Sequence, residues 1–182
     1  MHIEYTSEQL ALQPELAEAN INPESFLATD YLNHYNEIVM LLEMIPDMPE
    51  LIEDTNEWAP KTYIKHFQDS GFKASALAIS AFNIAPNGIR TAFENICSQL
   101  DTLIMSTLAG LTNLNAAERG LSPAAQDLIR QRVLAVQDLL MQLNKVVHGK
   151  LDDEIDIIPV KQDVAAEAED VQTQEDIDKL FG

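Results

Sequence analysis

The chain has 182 residues, with 30 acidic against 11 basic side chains and a formal net charge of -19. That balance excludes binding to a nucleic-acid backbone or an anionic membrane surface without a local basic patch, and the sequence contains none. The length suits one domain with a sizeable core plus a tail, and Cys97, the single cysteine, rules out an internal disulfide and any multi-thiolate metal site.

The opening residues MHIEYTSEQL carry neither a basic n-region nor an apolar h-region, and no apolar run approaches the roughly 20 residues that a bilayer span requires. A cytoplasmic protein is expected. Period-2 runs are scarce, and Asn87-Gly88 follows Pro86 between two helical patterns. The expected fold is therefore all-α: a helical bundle over residues 1–150, built on a long antiparallel helical hairpin at 88–149.

After a polar, loose N-terminal stretch, the pattern predicts a first helix from Pro23 to Ile45. Phe26, Leu32, Tyr35, Ile38, Met40, Leu41 and Met44 form its apolar face, and Pro46 and Pro49 end it. Pro46 to Pro60 reads as an acidic loop with one short helical turn, Trp58 serving as a core or interface anchor. Two shorter helices follow near 60–69 and 73–84, separated by Ser70-Gly71. Met40, Met44, Met48, Met105 and Met141 are assigned as core fillers, and Cys97 as a small buried residue. His2, His34, His66 and His148 show no pair at metal-ligand spacing and are assigned to the surface or to helix ends, so no metal site is expected.

The strongest periodicity comes next. Ile89, Phe93, Ile96, Leu100, Leu103 and Leu108, then Ile129, Val133, Val136, Leu140, Leu143 and Val147, recur at spacings of mostly three and four, the seam of a coiled-coil-like hairpin. Gly120 lies in the connection, Ser122 is placed to cap the second helix, Pro123 suits its first position and Gly149 its end. Each arm is roughly 38 Å long at 1.5 Å per residue. Cover for the seams must come from the earlier helices or from a second copy of the chain, and a homodimer is expected.

From Leu151 to residue 172, acidic residues accumulate with few large apolar groups, a composition that reads as a flexible acidic linker. In residues 173–182, Thr173 can cap a short helix whose Ile177, Leu180 and Phe181 share one face. A face this short has no partner within itself and is read as a docking peptide.

On the polar side of the second long helix, the core positions turn Asp138 and Gln142 toward solvent, four residues apart. Here Gln137-Asp138-Leu139, Gln142 and Lys145 resemble the Gln-Asp-Leu-x-x-Gln-x-x-Lys segment of the CheZ family of chemotaxis response-regulator phosphatases, which lies on a long helix of a helical hairpin. The family has two small residues where this chain has Leu140 and Met141. The tail from Thr173 to Phe181 is similar to the C-terminal receiver-gripping segment of that family, and to the Ser-Gln-x-x-Ile-Asp-x-Leu receiver-binding peptide of FliM. The resemblance implies hydrolysis of the aspartyl phosphate on a CheY-type receiver domain. Gln142 would orient a water in line with the phosphoryl group, and Asp138 would pair with the receiver's active-site lysine. Gln137 and Lys145 would support docking, and Ile177, Asp178, Leu180 and Phe181 would bind the receiver. The Mg²⁺ would belong to the receiver, leaving this chain with no cofactor of its own. A non-catalytic helical adaptor that binds a receiver or flagellar component through the same tail is the second reading.

Overall fold

The computed structural model describes residues 2–151. Among them the regular structure is helical, with no strand beyond one isolated antiparallel bridge between Ile21 and Ala28. In chain order the α-helices are α1 (Ser7–Glu18), α2 (Leu32–Met44), α3 (Tyr63–Asp69), α4 (Ser75–Asn83), α5 (Asn87–Asn113), α6 (Ala116–Arg119) and α7 (Pro123–Val147); Thr29–Tyr31 and Pro49–Glu57 are 3₁₀-helical. The all-α expectation holds, and so do the two long helices and the pair of shorter ones before them. The acidic linker and the docking peptide lie outside the described residues.

These residues sort into two compact units, to both of which α2, α5 and α7 contribute. The first comprises, among the described residues, those up to Tyr35, Pro60–Ser98, and 139–151. Its N-terminal part is ordered where a loose stretch was expected. Thr6 and Gln9 form a reciprocal capping box (Gln9 N to Thr6 Oγ1, 3.2 Å; Thr6 N to Gln9 Oε1, 2.8 Å) that starts α1. The Gln9 amide then donates to the Ile84 carbonyl at 2.8 Å, tying α1 to the end of α4.

The predicted helix from Pro23 begins only at Leu32. The reason lies in Asn22, whose Oδ1 accepts from the backbone N–H groups of Glu24 (2.9 Å) and Ser25 (3.0 Å), so that Pro23 sits in a side-chain-closed turn instead of a first helical turn. Phe26 follows with φ of 66°, fully buried. Ser25, also fully buried, donates from Oγ to the Val147 carbonyl at the end of α7 and accepts from Leu27 N at 3.2 Å.

The second unit comprises Asn36–Ala59 and Gln99–Asp138. Here α5 and α7 run antiparallel through a connection containing α6, with Asn115 at φ 53° and Gly120 at φ 72° turning the chain. Arg132 is buried against α5, its Nε donating to Thr107 Oγ1 at 2.7 Å, and burial pushes its guanidinium down to about 10. The stretch expected as an acidic loop with one turn is a nine-residue 3₁₀ helix that packs on α6, with Ile52 and Thr55 buried and its carboxylates outward.

The seams are covered within the chain. Ile89, Phe93, Ile96, Leu100 and Leu103 on α5, and Ile129, Val133, Val136, Leu143 and Val147 on α7, are all buried. Two positions depart from the pattern: Leu108 and Leu140 are half-buried, and Leu111 and Leu139 take the core instead. The apolar stripe is thus wider than a strict four-three seam, as befits a globular bundle. Cys97 is buried as expected. The methionine assignment is overturned: Met40, Met44, Met48, Met105 and Met141 are 62%, 38%, 40%, 43% and 62% exposed.

Gly149 closes α7 with φ of 79°, and a Cβ there would meet the Glu24 Cβ at 2.8 Å. Together with the Ser25 hydroxyl, this fastens the loop before α2 to the end of α7. Gly149→Ala should destabilise the protein by about 1 kcal/mol or more through left-handed strain alone, and Ser25→Ala by about 1–3 kcal/mol by stranding buried backbone groups. Urea unfolding followed by circular dichroism measures both; an unchanged midpoint for either variant contradicts this account.

Candidate functional site

Helix α7 carries the residues that the sequence singles out. Its start follows the expected chemistry: Ser122 Oγ accepts from Ala125 N at 3.2 Å, and Pro123 occupies the first helical position. Its end is a glycine stop, with Gly149 N donating to Val146 O and Lys150 N to Lys145 O, both at 2.9 Å. Between these caps the helix is unbroken for 25 residues.

Asp138, in the second unit, is exposed. Lys145, in the first, is exposed in the last turn, where its charge complements the carbonyl end of the helix dipole. Gln142 is half-buried, not fully solvent-facing as the periodicity implied. It stands three residues after Leu139 and four before Val146, both buried, so its side chain emerges at the edge of the apolar stripe. Gln137 is half-buried and already engaged, its Nε2 donating to the Glu43 carboxylate of α2. Leu140 is half-buried and Met141 strongly exposed, so the larger residues that replace the family's small pair stand beside the glutamine. Ile177, Asp178, Leu180 and Phe181 lie outside the described residues.

Three other features of the described residues bear on function. The Glu53–Asn56 stretch, which has a Glu-x-x-Asn spacing, lies on the 3₁₀ helix with Thr55 buried and donating to Ile52 O at 2.6 Å. A cavity of about 610 Å³ in the first unit lies between the start of α1 and the start of α5, with His2, Glu4, Gln9 and Asn87 among its lining residues. Among the described residues, no three or more His, Cys, Asp and Glu side chains come together as a metal-ion site, and no helix is long and apolar enough to cross a membrane.

No protein-family model matches the chain, and no match was found among curated proteins or among solved structures.

Sequence reasoning missed one cluster of titratable groups. His34 and His66, assigned to the surface or to helix ends, come together in the first unit, their ring centroids 6.3 Å apart. His34 is buried on α2 and accepts the Lys61 backbone N–H through Nε2 at 3.1 Å, while His66 on α3 pairs with Asp30 at 3.0 Å. Tyr31 packs edge-on against the His66 ring at 5.4 Å. The signal available in the sequence was weak, since the two histidines are 32 positions apart and only the packing of α3 beside Thr29–Tyr31 joins them.

Burial, with His66 and Lys61 nearby, pushes the His34 imidazole down to about 4 from its usual 6.5. Between those values the unfolded chain binds a proton that the folded one does not. Stability contributed by neutral His34 is therefore fully present above about pH 6.5 and is lost as pH falls toward about 4. The full shift corresponds to about 3 kcal/mol, which solvent screening of the ring reduces to a loss on the order of 2 kcal/mol. Urea unfolding at stepped pH should show it in the wild type, with a smaller slope over pH 6.5–4.5 in His34→Gln. Equal slopes would mean that His34 does not titrate differently on folding.

Proposed function

We propose that this chain is a helical phosphatase for a phosphorylated CheY-type receiver domain, in which α7 supplies the catalytic and docking residues. The observation that carries this reading is the Gln137-Asp138-Leu139, Gln142, Lys145 spacing on one unbroken helix, with Asp138 and Lys145 exposed. Side chains at these positions lie along one side of a helix, so a receiver docking against that side meets a carboxylate first and an amide about one turn further on.

In this reading Asp138 pairs with the receiver's active-site lysine and sets the approach. Gln142 swings out from the edge of the apolar stripe to hold a water in line with the phosphoryl group. The receiver's own Mg²⁺ neutralises the phosphoryl oxygens, so the chain contributes positioning alone. The C-terminal peptide, with Ile177, Asp178, Leu180 and Phe181, supplies affinity away from the reacting centre.

A specific observation favours the non-catalytic adaptor as the second reading: Met141 is 62% exposed beside a half-buried Gln142. The lifetime of a phosphorylated CheY-type receiver from the same organism, measured with and without the full chain, separates the two. Under the phosphatase reading the wild type shortens that lifetime, and Gln142→Ala loses about 10²-fold of the acceleration with binding retained, because the amide acts only in the transition state. Removal of residues 173–182 should weaken binding while leaving helicity unchanged. An unchanged lifetime despite measurable binding removes the phosphatase and leaves the adaptor; absence of binding removes both.

A further inference from the structure

Three of the methionines assigned to the core stand instead on the surface of the second unit. Met40, Met44 and Met48 recur every four residues along α2 and the turn that follows it, and they are 62%, 38% and 40% exposed. The helix ends at Met44, but Met48 N donates to Met44 O at 2.9 Å across the turn, which keeps Met48 about one helical turn beyond Met44 and in line with the other two as one ridge.

Two polar pairs hold α7 beside this ridge. Gln137 Nε2 donates to the Glu43 carboxylate, and Arg130 Nη2 meets Asp47 Oδ1 at 2.9 Å. Higher numbers on α2 thus meet lower numbers on α7, which makes the two antiparallel. Leu134 lies between Arg130 and Gln137 on the same side of α7, and it is 64% exposed. A shallow groove results, with polar pairs for a floor, the methionine ridge on one lip and Leu134 on the other.

The charge around this groove is predominantly acidic. Every charged residue between Asn36 and Ala59 is acidic, and the first lysine or arginine of the whole chain is Lys61. On the α7 side Asp138 is exposed next to Leu134, and Arg130, the basic group at the groove, is already paired with Asp47. A second copy of the chain would bring the same acidic rim and a charge of -19. The C-terminal peptide would bring Glu175, Asp176 and Asp178 against one lysine, Lys179, and so remains acidic. Like charges at close range oppose both.

We propose that the groove between α2 and α7 of the second unit docks a basic amphipathic helix of a partner protein. Its apolar face would lie on Met40, Met44, Met48 and Leu134, and its lysines or arginines would pair with Glu37, Glu43 and Asp138. Unbranched, polarizable methionine side chains adapt to differently shaped apolar faces, which suits a ridge of this kind to helix capture. The proposal shares Asp138 with the phosphatase reading but does not depend on it, since it requires neither Gln142 nor the C-terminal peptide.

The test uses the full chain with methyl-labelled methionine and three probes: a model amphipathic helix of leucine and lysine, the same helix with lysines replaced by glutamates, and polylysine. The leucine–lysine helix should bind and shift the methyl resonances of Met40, Met44 and Met48 well beyond those of Met105. Met40→Gln with Met44→Gln should weaken it at least tenfold with the circular dichroism unchanged, as expected for exposed positions. The glutamate helix should not bind. Equal shifts at all methionines, equal binding of polylysine, or undiminished affinity in the double variant would reduce the effect to general attraction to an acidic chain and overturn the proposal. Shifts of the same three methyls with protein concentration alone, or on deletion of residues 173–182, would overturn it in favour of a second copy or of the chain's own tail.

Discussion

Two helices of 27 and 25 residues cannot hold themselves in water, and each must bury one face along its whole length. The remaining elements are arranged around that requirement, and the two units meet it differently. In the first, the seam residue Phe93 is enclosed by rings: Tyr31 at 5.3 Å, Tyr63 at 5.6 Å and Phe82 at 5.8 Å between centroids. Those rings come from the 3₁₀ turn, α3 and α4, so three short elements that could not stand alone gain their place by covering one residue of α5. The polar ends of the rings are satisfied as well, with Tyr31 Oη donating to Lys61 O at 2.6 Å and Tyr63 Oη accepting from Ala28 N at 2.8 Å. The same burial raises the Tyr63 hydroxyl and keeps it neutral.

The second unit meets the requirement with aliphatic residues and pays for it in exposed surface. Ile38, Val39, Leu42 and Ile45 of α2 and Ile52 of the 3₁₀ helix are buried, alongside Leu103, Leu111, Ile129 and Val133 of the long helices. Outside that core, α2 and α7 are joined by the Glu43–Gln137 hydrogen bond and the Asp47–Arg130 ion pair, with Asp47 and Arg130 well exposed to solvent. Exposed pairs of this kind contribute about 0–1 kcal/mol. Their effect is to set the register of α2 on α7, and that register decides which side chains flank the groove.

The helical class, both long helices and the caps of α7 were legible because each rests on local chemistry: a sustained apolar period, a serine before a proline, a glycine after the last turn. What failed failed for non-local reasons. The helix expected from Pro23 was lost to Asn22, which closes a turn with its own side chain and lets Ser25 reach Val147, a residue 122 positions away. The capping box of Thr6 and Gln9 was present in the sequence, but the weak apolar content of α1 hid it; its anchor is the Gln9 contact to Ile84. Met40 and Met44 were assigned inward because they fell on the apolar face predicted for the helix from Pro23 to Ile45, yet the side of α2 that carries them is open to solvent. At the candidate site, the exposure of Asp138 followed from the period. The half-burial of Gln142 did not, because a one-position shift of the stripe from Leu140 to Leu139 turns the buried arc toward it.

That shift has a consequence for any chemistry on α7. An amide at the edge of an apolar stripe keeps fewer rotamers than one in open solvent, so bringing it to a partner's reacting centre costs less ordering entropy, provided that the accessible rotamer is the productive one. Met141, standing next to it, sets the distance of closest approach on that side. A partner that yields to a flexible thioether could still reach Gln142, whereas a rigid one would be held off, and a methionine is among the side chains most able to move aside. The charge of the chain acts at longer range and in one direction. Acidic surfaces are repelled and basic ones drawn in before any apolar contact forms, so salt should slow the approach of a basic partner while leaving the apolar contacts that slow its departure largely intact.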